Sequence, residues 1–322
     1  MAEKISIVSV GAAVQDVLLG GNVFKAHTED GELVEEFVLG EKYEVDDVTF
    51  STGGGATNGA VTFSRQGLKA SFVGKIGHDP AGSAVLADLK KDHVDASLVA
   101  YSKKYQTGYS TILISPRGER VVLTYRGAST HYDKSDFNVT KVRGDWMFIT
   151  SMSGNMDVIQ MFIDHAKATH MKIALIPGKG ELKQVERLRE MVKGVDIFSA
   201  NKEETQTMVD GDNIEGLAVN MSRLTGGIAV VTDGPDGVAT SDGKTACRAG
   251  MYEDVPVIDR LGAGDAFASG FVAAIARGGN MQDGIVLGSA NSTSVVSYVG
   301  AKTGILHEDA ELHGMDIHTW GV

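Results

Sequence analysis

The chain has 322 residues, 43% hydrophobic and 22% charged, with a formal net charge of −12 at pH 7. That length supports one large core or two small ones, and the acidic balance excludes nucleic acid as a general partner because a phosphate backbone is repelled. A single cysteine, Cys247, excludes an intrachain disulfide and fits a reducing cytoplasm.

The first apolar run, residues 5–10, reads as a buried strand. It is too short to span a membrane and lacks a signal-peptide cleavage pattern, so a cytoplasmic protein with no membrane partner is expected. Further buried strands are expected at 70–73, 146–150, 172–176, 197–199 and 228–232. Between them lie helical patterns: one opened by Asp79-Pro80, one from 155 to about 170, one from 181 to about 192. Strands alternating with helices predict an α/β fold around a mainly parallel sheet. Two segments break the rhythm. Residues 33–39 are strand-like with no amphipathic helix nearby, and 110–114 and 121–125 flank the turn Pro116-Arg117-Gly118 as a hairpin would. They predict a small antiparallel sheet beside the main one, either a lid that excludes water or a plain extension.

Chemistry concentrates in three places. Residues 257–267 run from an apolar strand through Gly262-Ala263-Gly264-Asp265 into a helix expected from 267 to 277. Small residues at a helix start let backbone N–H groups approach an anion, and the helix dipole favours negative charge there. An aspartate beside such a hole is either a helix cap or a base for a hydroxyl that attacks phosphorus. Gly53-Gly54-Gly55-Ala56-Thr57-Asn58 is a second glycine turn, leading into a helix expected over 59–68; it is either a ligand approach or a tight turn. Asn201 and Glu204, one helical turn apart after a strand, suit a magnesium–water shell or a simple cap. No Gly-x-x-x-x-Gly-Lys-Ser/Thr is present, and no Gly-x-Gly-x-x-Gly follows the first strand, which excludes a P-loop and weakens a dehydrogenase reading.

In this order the three motifs resemble those of the ribokinase-like carbohydrate and nucleoside kinases, the PfkB group, over almost the whole chain. The resemblance implies one ribokinase-like domain over 1–322. It would be a three-layer α/β/α unit with a mainly parallel central sheet and a small β-sheet lid from segments at about 18–50 and 107–126. It implies that Asp265 is the catalytic base and that Gly262, Ala263 and Gly264 form the anion hole. Asn201 and Glu204 would organise phosphate and Mg²⁺, Glu204 through water, while Thr232, Gly234 and Gly237 contact ATP and Asn291 lines the adenine pocket. Asp16, Gly54 and Asn58 would grip the acceptor, and Asp259 would stand near a monovalent-cation loop, bringing potassium in as a further cofactor.

The implied reaction is transfer of the ATP γ-phosphoryl to a primary hydroxyl of a small carbohydrate of ribose, fructose or keto-sugar-acid type. A nucleoside acceptor and a catalytically silent sugar-binding protein are the alternatives, and a homodimer through the lid is compatible. Two departures stand out. Arg260-Leu261 replaces the commoner Thr-Thr, and Gly55 stands where ribokinases carry lysine, which speaks against strict ribose specificity. Arg126, after Tyr125, resembles an element of keto-sugar-acid kinases; its guanidinium either clasps an acceptor anion or is a plain surface group.

Overall fold

The computed structural model describes residues 4–117, 119–252 and 255–322. In chain order the strands are β1 (Ser6–Val10), β2 (Val14–Gly20), β3 (His27–Glu29), β4 (Glu32–Val34), β5 (Asp47–Gly53), β6 (Lys69–Val73), β7 (Lys75–Gly77), β8 (Ala100–Ser102), β9 (Gly108–Ile114) and β10 (Arg120–Tyr125). They continue as β11 (Trp146–Thr150), β12 (Lys172–Ile176), β13 (Ile197–Asn201), β14 (Ile228–Thr232), β15 (Val238–Ser241), β16 (Thr245–Ala249) and β17 (Ile317–Gly321). The helices are α1 (Gly55–Arg65), α2 (Pro80–Lys91), α3 (Met156–Ala168), α4 (Lys179–Leu182), α5 (Val185–Met191), α6 (Lys202–Gln206), α7 (Ile214–Thr225), α8 (Ala263–Ala276) and α9 (Met281–Val296). None of the described helices is long and apolar enough to cross a membrane.

The main sheet has nine strands in the order β17-β16-β15-β14-β13-β12-β11-β1-β6, parallel from β6 to β14 and antiparallel beyond. Alternation along each central strand feeds two cores. Phe148 of β11 and Ile7 of β1 join a cluster with α1, α8 and α9, whereas Met147, Ile149 and Val8 join one with α3 and α5. A strand buried on both faces carries apolar residues at every position, which is why these strands read as continuous runs. The expected α/β/α layering and parallel sheet are observed.

A second sheet, in the order β10-β9-β2-β5, springs from the carboxyl end of β1. It is mixed rather than antiparallel: β2 pairs parallel with β9, because the chain traverses α1, β6 and α2 before returning. Its strands also start earlier and end later than expected, at Val14 and Gly53. The predicted strand at 33–39 reduces to β4, paired with β3 in a separate ribbon. Gly118 of the predicted hairpin turn lies outside the described residues. The helix expected at 181–192 is split into α4 and α5, with Gln184 between them in a non-helical conformation.

Glu181 lies in the first of the two pieces. Its fully buried carboxylate accepts hydrogen bonds from the N–H groups of Met152, Gly154 and Gly178 at 3.0, 2.6 and 2.9 Å, and from Ser151 Oγ at 2.8 Å. The loops after β11 and β12 are thereby tied together at the carboxyl edge of the sheet. Glu181→Gln, which turns an amide N–H₂ towards these donors, is expected to destabilise the fold by about 2 kcal/mol or more in urea titration.

Candidate active site

The parallel strands β1, β11, β12, β13 and β14 all end on one edge, where open α/β sheets bind ligands. Three cavities meet there at the N-terminus of α8. The outer one (≈ 150 Å³) is bounded by Thr232, Gly234, Gly237, Met251, Phe267, Ser289 and Ser292. The middle one (≈ 330 Å³) is bounded by Asn201, Glu204, Thr232, Arg260, Gly262 and Asp265. The inner one (≈ 170 Å³) is bounded by Asp16, Gly54, Asn58, Ser110, Gly262 and Asp265. Thr232, Ala263 and Gly264 line both outer and middle cavities, while Gly262 and Asp265 line both middle and inner. The first turn of α8 is therefore the partition between them.

Local backbone chemistry makes that partition. Gly262 caps α8 with φ 79°, a left-handed conformation, and a Cβ there would meet Ala301 Cβ at 2.5 Å. Both facts require glycine. At Gly264 a Cβ would meet nothing within 4 Å, so the backbone borders open cavity. The helix starts at Ala263, four residues earlier than expected, so Asp265 lies inside its first turn and the turn's N–H groups lack intrahelical acceptors. No side chain caps the helix; Asp265 instead accepts a hydrogen bond from Asn58 Nδ2 at 2.9 Å. The cap alternative for Asp265 is thus not what the geometry displays.

Helix α1 likewise begins at Gly55 rather than 59, which puts Asn58 in its first turn, pointing across to α8. Asn58 Oδ1 is buried with no hydrogen-bond partner among the described residues, an acceptor that a ligand hydroxyl would satisfy. Burial pushes the Asp265 carboxyl above the usual carboxylate range, and the bond from Asn58 pulls it partly back. Its side chain nonetheless opens on the cavity. Asp16 of β2 is buried and raised for the same reason, opposed by a hydrogen bond from Ser110 and the nearby charge of Lys302.

Asn201 and Glu204 form a capping box, each accepting from the other's N–H, at 2.8 and 3.1 Å. Capping does not exclude them from the site, since both line the middle cavity and the second oxygen of Glu204 has no partner among the described residues. Oxygen donors of this kind suit the hard Mg²⁺ ion.

Three expected site residues sit elsewhere. Asn291 is fully buried, donating to Ala266 O at 2.8 Å and accepting from Leu306 N at 2.9 Å. Ser289, Ser292 and Thr293, at helical spacing on one face of α9, line the outer cavity instead. Arg126 is exposed and lines none of the three cavities. Asp259, expected beside a potassium loop, is buried and accepts from Arg120, from Leu261 N at 2.9 Å and from Gly300 N at 3.0 Å. Its carboxylate ties three segments together. Ser110 and the serines of the outer cavity carried no motif in the sequence, and the helical spacing of 289, 292 and 293 is the one signal that could have found the latter.

A family model described as pfkB family carbohydrate kinase matches residues 30–308. The chain belongs to that family. It is a phosphotransferase with an alcohol acceptor, in a family that uses ATP with Mg²⁺. Among PfkB relatives, the ATP-dependent 6-phosphofructokinase of Thermoanaerobacterium thermosaccharolyticum is 24% identical over 84% of this chain and 88% of its own. The ribokinase of Staphylococcus aureus is 25% identical over 83% and 89%. Among solved structures, the nucleoside kinase of Methanocaldococcus jannaschii superposes with a TM-score of 0.76 at 21% identity, covering 96% of this chain and 97% of that one. Arabidopsis thaliana ribokinase complexed with ribose and ATP gives 0.75 at 18%, covering 95% and 97%. Such likeness establishes the ribokinase fold and leaves the acceptor to be argued from this chain's own residues.

The raised carboxyl at Asp265 has a measurable cost. A group whose folded pKa exceeds its unfolded one binds more protons in the folded state, so stability falls as pH rises between the two. Asp265→Asn removes that charge. At neutral pH the variant is expected to melt at a higher temperature than wild type, with the gap narrowing as pH is lowered through the raised pKa; thermal melts across that range provide the check.

Proposed function

We propose that the protein is an ATP-dependent kinase of a small neutral carbohydrate, transferring the γ-phosphoryl to a primary hydroxyl with Asp265 as general base. The observation that carries this reading is the position of Asp265, on the wall shared by a small polar cavity and the cavity bordered by the α8 amides. An acceptor hydroxyl held by Asp16 and Asn58 in the inner cavity lies beside the one carboxylate that also faces the middle cavity. The acceptor oxygen bonds to the γ-phosphorus, its proton passes to Asp265, the bond to the β,γ-bridging oxygen breaks, and ADP departs. The N–H groups of the first α8 turn stabilise charge on the transferring phosphoryl. Mg²⁺ would be held by phosphate oxygens and, through water, by Glu204, supplying charge neutralisation. Residues 1–322 then act as one catalytic unit, with the β10-β9-β2-β5 sheet as its lid.

Charge and size select the acceptor. No cationic or aromatic side chain is among the described residues lining the inner cavity, and two carboxylates are. A sugar phosphate or sugar acid meets repulsion there, and a nucleoside finds no ring to stack on. Phosphorylation screening with ATP and Mg²⁺ should return neutral pentoses or hexoses; turnover confined to sugar phosphates, sugar acids or nucleosides would sink the assignment.

Asp265→Asn is expected to lower kcat by about 10²–10⁴-fold with ADP binding kept. Asn58→Ala should move the acid limb of the kcat/KM profile to higher pH, since the hydrogen bond it removes favours the charged carboxylate. An unmoved limb would assign that limb to another group.

The lid also supports a dimer. Val48, Phe50, Tyr109, Val121, Leu123 and Tyr125 are exposed, and cross-strand pairing puts them on the face opposite Asp16. A second copy of the chain is the occupant proposed for this face. Phe50→Glu with Leu123→Lys should then halve the mass seen by sedimentation.

A further inference from the structure

The middle cavity must accept the most highly charged part of ATP in a chain of net charge −12. Its described lining carries two carboxylates, Glu204 and Asp265, and a single cationic side chain, Arg260. The inner and outer cavities have no cationic side chain in their described lining. The nearby Lys202 is already paired with Asp233 at 2.8 Å, and Lys302 with Asp88 at 3.2 Å. Arg260 is exposed, and its guanidinium makes no ion pair or hydrogen bond among the described residues. The loop beneath it is well held. Asp259 is pinned by Arg120, Leu261 N and Gly300 N, and Arg260 O lies 3.4 Å from Ala263 N at the start of α8. A free cation thus stands on a fixed stem two residues before the helix cap.

We propose that Arg260 is a further catalytic residue, whose guanidinium contacts the transferring phosphoryl and stabilises the charge that develops on its oxygens. The proposal rests on the kinase reading given above. The planar fork of arginine can donate two parallel hydrogen bonds to a phosphoryl group. It lines the same cavity as the first turn of α8, so backbone donors and a cation are both available to one phosphoryl group. The atoms exchanged are those of the transfer itself: the γ-phosphorus gains the acceptor oxygen and loses the bridging oxygen, the proton goes to Asp265, and Arg260 keeps all its protons. Because the guanidinium has no polar partner among the described residues, replacing it removes no described ion pair or hydrogen bond.

The test uses the full-length protein, Arg260→Gln and Arg260→Lys, with thermal melts confirming equal folding. ADP alone, and ADP with aluminium fluoride and Mg²⁺, are titrated by calorimetry, and turnover is followed with the best sugar of the screen. Arg260→Gln is expected to lower kcat by about 10²–10³-fold and to weaken the fluoroaluminate complex by a similar factor, with ADP affinity kept within about threefold. Arg260→Lys should recover part of the loss. A kcat within about threefold of wild type overturns the proposal, and so does an equal loss of ADP and fluoroaluminate affinity, which would mark ordinary ground-state attraction. If the wild-type protein itself neither binds ADP nor phosphorylates any acceptor, the kinase reading falls and the role of Arg260 falls with it. The wild-type titration separates those two failures.

Discussion

The first turn of α8 is the constraint on which the site depends. Its cap must be left-handed, and the approach of Ala301 leaves no room for a side chain at Gly262. Once that turn is set, free N–H groups face the middle cavity and Asp265 projects to the wall it shares with the inner one. Helix α1 then completes the arrangement from the opposite side. Its early start at Gly55 turns Asn58 towards Asp265, and a Cβ at position 55 would lie 3.1 Å from Asp265 Oδ1. Two glycine-led helix starts are thereby packed against each other, and the carboxylate is held where they meet.

In its proposed role as base, that carboxylate answers two demands. A base must be charged at working pH, yet it must be sheltered so that a hydroxyl rather than water reaches phosphorus. Burial raises the Asp265 carboxyl and Asn58 restrains the rise. The same amide leaves its own oxygen without a partner among the described residues, an arrangement that costs stability and that an entering hydroxyl would relieve. Polar side chains therefore line one side of the partition, while the first-turn backbone of α8 and one arginine border the other.

The surroundings of the site are tied by charged groups used structurally. Arg120 reaches from the small sheet to Asp259, joining that sheet to the loop that leads into α8. Glu181 fastens the loops after β11 and β12, and Lys302 binds Thr52 Oγ1 at 2.6 Å and Asp88, joining α2, β5 and the segment after α9. Each link spans segments far apart in sequence, so a change at one propagates to the edge where the cavities lie. Buried ion pairs of this kind fix geometry more than they add stability.

Much of the framework was legible in the sequence. The strands at 146–150, 172–176 and 228–232 could be bounded to the residue, since strands buried on both faces are uninterrupted apolar runs. Helix α2 announced itself through the Asp79 cap and Pro80, and the motif order around Gly54, Asn201 and Gly262 indicated a kinase. The helix starts at Gly55 and Ala263 were misjudged, because a glycine that begins a helix by packing looks in sequence like one that merely turns. Asn291, Arg126 and Asp259 show the other limit: a residue's type and place in a motif do not say which way its side chain points. The sequence by itself determined the α/β fold and the reaction class, and it singled out Asp265 as the proposed base. Only the tertiary structure decided that Asn291 is buried, that Asp259 is held by Arg120, and that Arg260 is the one cation in the described lining of the middle cavity. The reason is that propensity and periodicity act within a segment, whereas a site is made by contacts between segments hundreds of residues apart.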